Sequence, residues 1–232
     1  SDNVVQTQLV EPKTYMEVLS WSPRIFKFKN FLTPEECDQI IEKAKDRLRL
    51  SSLYSGKGSF NDANTRSSQD MFFNADETKW LDERISRATR IPASHGESLT
   101  VIHYGPNQQY LPHFDYFAYG QDDNTDNLLN TYGNRIATFI MYLNDLDEDA
   151  GGTTKFPDAA GGPVAVRPKK GDATFFYNML PSGSVDPMSL HTGSPVLKGE
   201  KWIATKWIRE KKWKQEDDYV PTFGTAAKDI VN

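Results

Sequence analysis

Between Leu99 and Phe117 the chain reads LTVIHYGPNQQYLPHFDYF. Its opening, Leu99 to Tyr104, is apolar, β-branched and aromatic. Gly105-Pro106-Asn107 then stops it, the punctuation of a strand that ends in a turn. The same texture recurs downstream in Arg135 to Leu143, Val164 to Val166, Ala173 to Tyr177 and Trp202 to Ile208. Many short strands in one C-terminal block predict a double-sheet jelly roll, a cupin-like double-stranded β-helix whose mouth can hold a metal.

Upstream the pattern is helical. Thr33-Pro34-Glu35-Glu36 combines a capping threonine, a first-turn proline and the glutamate of a capping box. The segment to about Leu50 carries Cys37, Ile40, Ile41, Ala44 and Leu48 on one stripe. A second helix is expected from about Asp76 to Arg90, with Trp80, Leu81, Ile85 and Ala88 as its apolar side. Ser51 to Asn64, rich in Ser, Gly and Asn, reads as a mobile loop. The fold class is therefore α+β. A helical N-terminal part, about 1–95, packs on one sheet of a jelly roll spanning about 96–209. Together they make one domain over 1–209, followed by a polar tail, 210–232.

A length of 232 residues suits a single core. With 38% hydrophobic and 25% charged residues the chain lies in the soluble range, and no apolar run approaches a membrane span. The net charge of −5 and pI near 5.4 offer no basic field for nucleic acid. Lys211, Lys212 and Lys214 precede Glu216-Asp217-Asp218 and read as solvated tail. Cys37 is the sole cysteine, which excludes an intrachain disulfide and a multi-cysteine zinc site; on its helix it reads as a buried, inert thiol. No secretory leader pattern stands at the N-terminus, and a start at Ser1 leaves trimming open.

The chemistry gathers around His113-Phe114-Asp115. On a strand, positions i and i+2 share a face, so an imidazole and a carboxylate can grip one ion. His191 would complete a two-histidine, one-carboxylate set. Such a set leaves three adjacent coordination positions open, as non-haem iron(II) oxygenases need. Lys201, ten residues on, would place a fixed positive charge against the distal carboxylate of a cosubstrate such as 2-oxoglutarate. His95 and His103 read as ordinary satisfied polar residues. Zinc hydrolase chemistry lacks a general-base glutamate at a recognised spacing. Tyr116 to Gly133, a long polar insert directly after Asp115, reads as a lid.

LTVIHYGPNQQYLPHFDYF, GGTTKFP and DPMSLHTGSPVLKGEKWIATKWI together resemble the prolyl 4-hydroxylases of the plant, algal and collagen type, over roughly Trp21 to Arg209. The resemblance implies an iron(II)- and 2-oxoglutarate-dependent dioxygenase that hydroxylates C4 of peptidyl proline with O2, and uses ascorbate. His113, Asp115 and His191 match its iron ligands. Lys201 matches the residue that pairs with the C5 carboxylate of 2-oxoglutarate, with Tyr110 and Thr154 as hydroxyl donors to it. Tyr104 could be a supporting residue or core. Arg66, Ser68, Glu97, Arg135 and Trp207 match positions that line the peptide groove, where a proline-rich chain in polyproline II form would dock. A monomer is expected. The alternatives are a dioxygenase for a non-prolyl substrate and a non-catalytic jelly-roll peptide binder. Two departures stand out. Arg209 occupies a position that is histidine in algal relatives, and Ser194 stands where secretory relatives carry cysteine. The resemblance suggests the endoplasmic reticulum; the lone cysteine and the missing leader suggest the cytoplasm instead, and the compartment stays open.

Overall fold

The computed structural model describes residues 13–55, 58–60 and 65–213. Its strands are Tyr15–Trp21 (β1), Arg24–Lys29 (β2), Arg49–Leu50 (β3), Leu53–Ser55 (β4), Gly58–Phe60 (β5), Gln69–Phe72 (β6) and Thr100–Tyr104 (β7). They continue with Tyr110–His113 (β8), Arg135–Tyr142 (β9), Thr154–Phe156 (β10), Val164–Val166 (β11), Ala173–Tyr177 (β12), His191–Gly193 (β13) and Lys201–Arg209 (β14). The helices are Pro34–Ala44 (α1), Ala75–Thr89 (α2) and Asp123–Tyr132 (α3).

Eight strands form one sheet in the order β1-β2-β12-β9-β14-β7-β6-β3, and four form a second, β11-β10-β13-β8. All their pairings are antiparallel. The large sheet is covered on both faces, so its central strands carry apolar residues on both sides. Val101, Phe139, Met141, Phe175, Trp202 and Ala204 pack toward Cys37 and Ile40 of α1 and Leu81 and Ile85 of α2. Ile102, Ile140, Phe176 and Ile203, one residue out of step with these, meet Phe156 and Val166 of the small sheet. This is the α+β double-stranded β-helix with helices on one sheet.

The N-terminal part differs from expectation. β1 and β2 are strands of the large sheet, where β2 pairs with β12 across about 150 positions of chain. The division near residue 95 therefore does not follow the fold. α1 starts as expected, with the Thr33 hydroxyl accepting from Glu36 N and the Glu36 carboxylate accepting from Thr33 N. It ends at Ala44, short of Leu50, and a 3-10 turn follows over Lys45–Arg47. Arg49 and Leu50 are drawn into β3 by pairing with β6. The stretch expected to be a mobile loop holds the β4–β5 ribbon, and the rest of 53–64 lies outside the described residues. The expected tail also begins late. Trp213 N donates to Ser94 O and its ring packs on Tyr132; Lys214 onward lies outside the described residues. Among the described residues no helix is long and apolar enough to cross a membrane.

Candidate active site

β8 and β13 pair so that His113 faces His191 directly. The strand ends at His113, so Asp115 is turned inward by the bend that follows rather than by the pleat alone. Thr138 of β9 pins it there, its hydroxyl donating to Asp115 Oδ2 at 2.7 Å; Asn178 Nδ2 in turn donates to Thr138 Oγ1 at 3.0 Å. His113 Nδ1 donates to Leu111 O at 2.7 Å and His191 Nδ1 to Ser189 O at 3.0 Å. Each imidazole thereby commits its proton to the backbone and turns a bare Nε2 lone pair inward. Those Nε2 atoms lie 3.7 and 3.6 Å from the Asp115 oxygens, and the three ligating groups fall within 4.8 Å of one another. Burial, then the neighbouring His191, pushes His113 down to about 3, so it stays neutral and able to ligate. Burial alone would raise Asp115, but His191, His113, Arg135 and the Thr138 hydroxyl outweigh it and hold the carboxyl below its ordinary range. Two imidazoles and an ionised carboxylate converging on one point fit a divalent iron.

The alternating face of β14 extends the site inward. Lys201, Ile203, Thr205 and Trp207 line one cavity with the triad, Tyr104, Tyr110, Thr154 and Gly193. The cross-strand register sets Lys201 opposite Tyr104, whose ring lies 5.4 Å from Lys201 Nζ. Lys201 is 2% exposed, and among the described residues no carboxylate pairs with it. Burial pushes its ammonium down to about 7. Thr205 Oγ1 and Trp207 Nε1 are also buried here without a hydrogen-bond partner among the described residues. Unsatisfied donors and a lone ammonium in one cavity fit an anionic, oxygen-rich guest such as 2-oxoglutarate. Thr154 reaches this cavity because Gly151 and Gly152 precede it. Both take left-handed φ, +70° and +65°, and a Cβ on Gly151 would strike the Pro195 carbonyl. Tyr110 stacks its ring on His113, with centroids 3.5 Å apart, and burial pushes its phenol up to about 12. Tyr104 thus sits closer to Lys201's place in the register than sequence reasoning credited.

Outside the triad opens a cleft of about 480 Å³. Arg66, Glu97, Arg135 and Trp207 line it. Glu97 accepts from Arg135 Nε at 2.7 Å and Nη2 at 2.8 Å, which holds the Arg135 guanidinium over the Trp207 ring, 4.1 Å from its centroid. Arg66 donates to Asp70 at 3.1 Å. Ser68 is a correction: its hydroxyl lies behind Arg66, accepting from Arg66 Nε and bonded to Ser51, and is not on the cleft wall. The insert after Asp115 is no open loop, because Asp122 caps α3. Phe117, Gln121 and Leu128 of the insert form a cleft wall. Phe114, Tyr116 and Phe117 were missed as wall residues, whereas Arg209, singled out in the sequence as a departure from algal relatives, lies on that wall. The aromatic flanks of His-Phe-Asp were the available signal for the first three. Arg209 donates to Glu97 at 2.5 Å and to Gly133 O at 3.0 Å, contacts no local pattern could reveal.

Comparison with known proteins agrees with this geometry. The family model of the 2OG-Fe(II) oxygenase superfamily matches residues 99–209. Probable prolyl 4-hydroxylase 10 of Arabidopsis thaliana is 41% identical over 220 residues, covering 86% of this chain and 73% of its own. Prolyl 4-hydroxylase 1 of the same plant is 42% identical, covering 84% and 72%. The viral collagen prolyl hydroxylase of Paramecium Bursaria Chlorella virus-1, solved as a 2OG complex, superposes with a TM-score of 0.61 at 29% identity, over 80% of this chain and 95% of that one. The chain belongs to the prolyl 4-hydroxylases of the 2OG-Fe(II) oxygenase superfamily.

Proposed function

We infer that the protein hydroxylates C4 of proline within a peptide, using O2 and converting 2-oxoglutarate to succinate and carbon dioxide. One oxygen atom enters the proline C–H bond and the other enters succinate. The observation that carries this reading is one cavity with three metal-ligating side chains at its mouth and, further in, a buried ammonium that no carboxylate meets among the described residues. His113, Asp115 and His191 would hold iron(II), which supplies the oxidising chemistry when bound. Lys201 binds the distal carboxylate of 2-oxoglutarate, with Thr154 as a hydroxyl donor to it. Tyr110, whose ring packs against His113 and which lines both cavity and cleft, is a second hydroxyl donor to that carboxylate.

The substrate is a proline-rich chain in polyproline II form, laid along the cleft. Trp207 and the Arg135 guanidinium form a flat floor for a proline ring, and Arg66 presents a fixed donor at its side. A monomer suffices, since every group named comes from one chain. Ascorbate is the reductant expected to restore activity lost in turnovers without peptide.

The test is succinate release with a panel of proline-rich peptides, with mass detection of one added oxygen atom on proline. Stimulation by proline-rich peptides together with that oxygen supports the reading. Turnover indifferent to every prolyl peptide, or oxygen found on another residue, overturns it.

A further inference from the structure

Inside the barrel, three hydroxyls lie in a row among apolar side chains. Tyr142 of β9, Thr174 of β12 and Thr154 of β10 are 0%, 0% and 3% exposed. The Tyr142 hydroxyl donates to Thr154 Oγ1 at 3.2 Å and is bonded to Thr174 Oγ1 at 3.0 Å. Tyr142 thus bridges the large sheet to the small one, between Ile25, Phe156 and Phe176. Placing three hydroxyls in such surroundings is costly unless each bond is made.

Counting protons gives the row a direction. A phenol carries one proton. Donated to Thr154, it leaves Tyr142 an acceptor on its other side, so Thr174 must be the donor there. Three hydroxyls bring three protons, and two bonds between them consume two. The proton left over belongs to Thr154, the only one of the three that lines the cavity with Lys201. Among the described residues it has no acceptor. Burial pushes the Tyr142 phenol up to about 12, which keeps it a neutral donor.

We infer that Thr174, Tyr142 and Thr154 form a one-way hydroxyl relay whose last proton is aimed at the distal carboxylate of 2-oxoglutarate, so that Tyr142 is a positioning residue for cosubstrate affinity. The inference rests on the reading of the Lys201 cavity as the 2-oxoglutarate site. Without the Tyr142 proton, the Thr154 hydroxyl is free to turn its own proton back into the barrel. Donors chained in one direction also polarise one another, so the final bond to an anion is strengthened.

The experiment is a double-mutant cycle read by the KM for 2-oxoglutarate. Tyr142→Phe, which keeps the ring, is expected to raise that KM by about fivefold to tenfold, with kcat at saturation and the peptide KM changed far less. Thr174→Val acts in the same direction. In a Thr154→Val background, Tyr142→Phe adds nothing, since the relay has lost its end. An equal rise in both backgrounds, or an unchanged KM in Tyr142→Phe, overturns the relay. Lys201→Ala separates the two claims. A parental KM there overturns the cosubstrate reading and the relay with it, whereas a raised KM there beside an additive Tyr142 effect overturns the relay alone.

Discussion

Two lysines lie buried on β14, Lys201 and Lys206, each no more than 2% exposed, and their surroundings are opposite in kind. Lys206 points to the helical side, where Asp82 of α2 meets its Nζ at 2.6 Å. Lys201 points into the barrel, where among the described residues no carboxylate meets it. Burying an ammonium costs several kcal/mol unless a partner offsets it. In Lys206 the fold supplies that partner from its own chain. In Lys201 the fold bears the cost, and burial shows as an ammonium pushed down to about 7. Buried charge therefore has two readings: a paired one ties elements together, and one left without a counter-charge in a cavity awaits a ligand.

The largest effects test the cavity side. His113→Ala, Asp115→Ala and His191→Ala should each abolish peptide-dependent succinate release, because two ligands hold iron(II) loosely. The fold should survive, since the triad sits at the barrel mouth. Full activity in any one of them under saturating iron would show that the metal lies elsewhere. Next come the lysines themselves. Lys201→Ala should raise the 2-oxoglutarate KM by about 30- to 1,000-fold, the loss of a charge-assisted pair contributing roughly 2–4 kcal/mol in a dry pocket. Lys201→Arg should recover part of it, the planar guanidinium being longer than the ammonium it replaces. Lys206→Met should do the reverse. It strips Asp82 of its buried counter-charge, which costs about 3–5 kcal/mol in urea unfolding, while the KM stays near the parent. Adding Asp82→Leu should recover much of that stability. If Lys206→Met moved the KM and Lys201→Ala moved only stability, the contrast would be reversed.

The same strand shows what was legible in sequence. The β-branched and aromatic texture of Trp202 to Ile208, repeated in short blocks between Gly, Pro and Asn, carried the jelly roll, because composition and turn punctuation are local signals. So was the start of α1, where cap, proline and glutamate lie within four residues. What escaped depended on distant partners. β1 and β2 expose Met16 and Trp21 and bury Ile25 and Phe28 by pairing with β12, and nothing near Tyr15 announces that. Tyr104 was undervalued because only the β7–β14 register sets it opposite Lys201. Arg209 reaches Glu97 across 112 positions. Ser68 was misplaced because a motif position does not say which side of Arg66 a hydroxyl lies on.

The smallest effect is the most specific to Lys201. With its ammonium lowered to about 7 by burial, the free enzyme holds Lys201 charged below that pH and increasingly neutral above it. A bound carboxylate favours the charged form, so the complex keeps the proton to higher pH. The sign follows by linkage. Below about pH 7 Lys201 is charged in both states, so the affinity for 2-oxoglutarate should not change with pH through this group. Above it, binding must take up a proton, and the dissociation constant should rise by up to about tenfold per pH unit until the lysine in the complex also titrates. Titration calorimetry on metal-loaded enzyme without oxygen, in two buffers of different ionisation enthalpy, reads the proton uptake directly. Lys201→Arg should bind more weakly but flatten the slope, because a guanidinium does not titrate in this range. A parent enzyme whose affinity is level from pH 6 to 9, with no proton uptake, would mean that the ammonium is already satisfied before 2-oxoglutarate arrives, and the contrast with Lys206 would fail at its root.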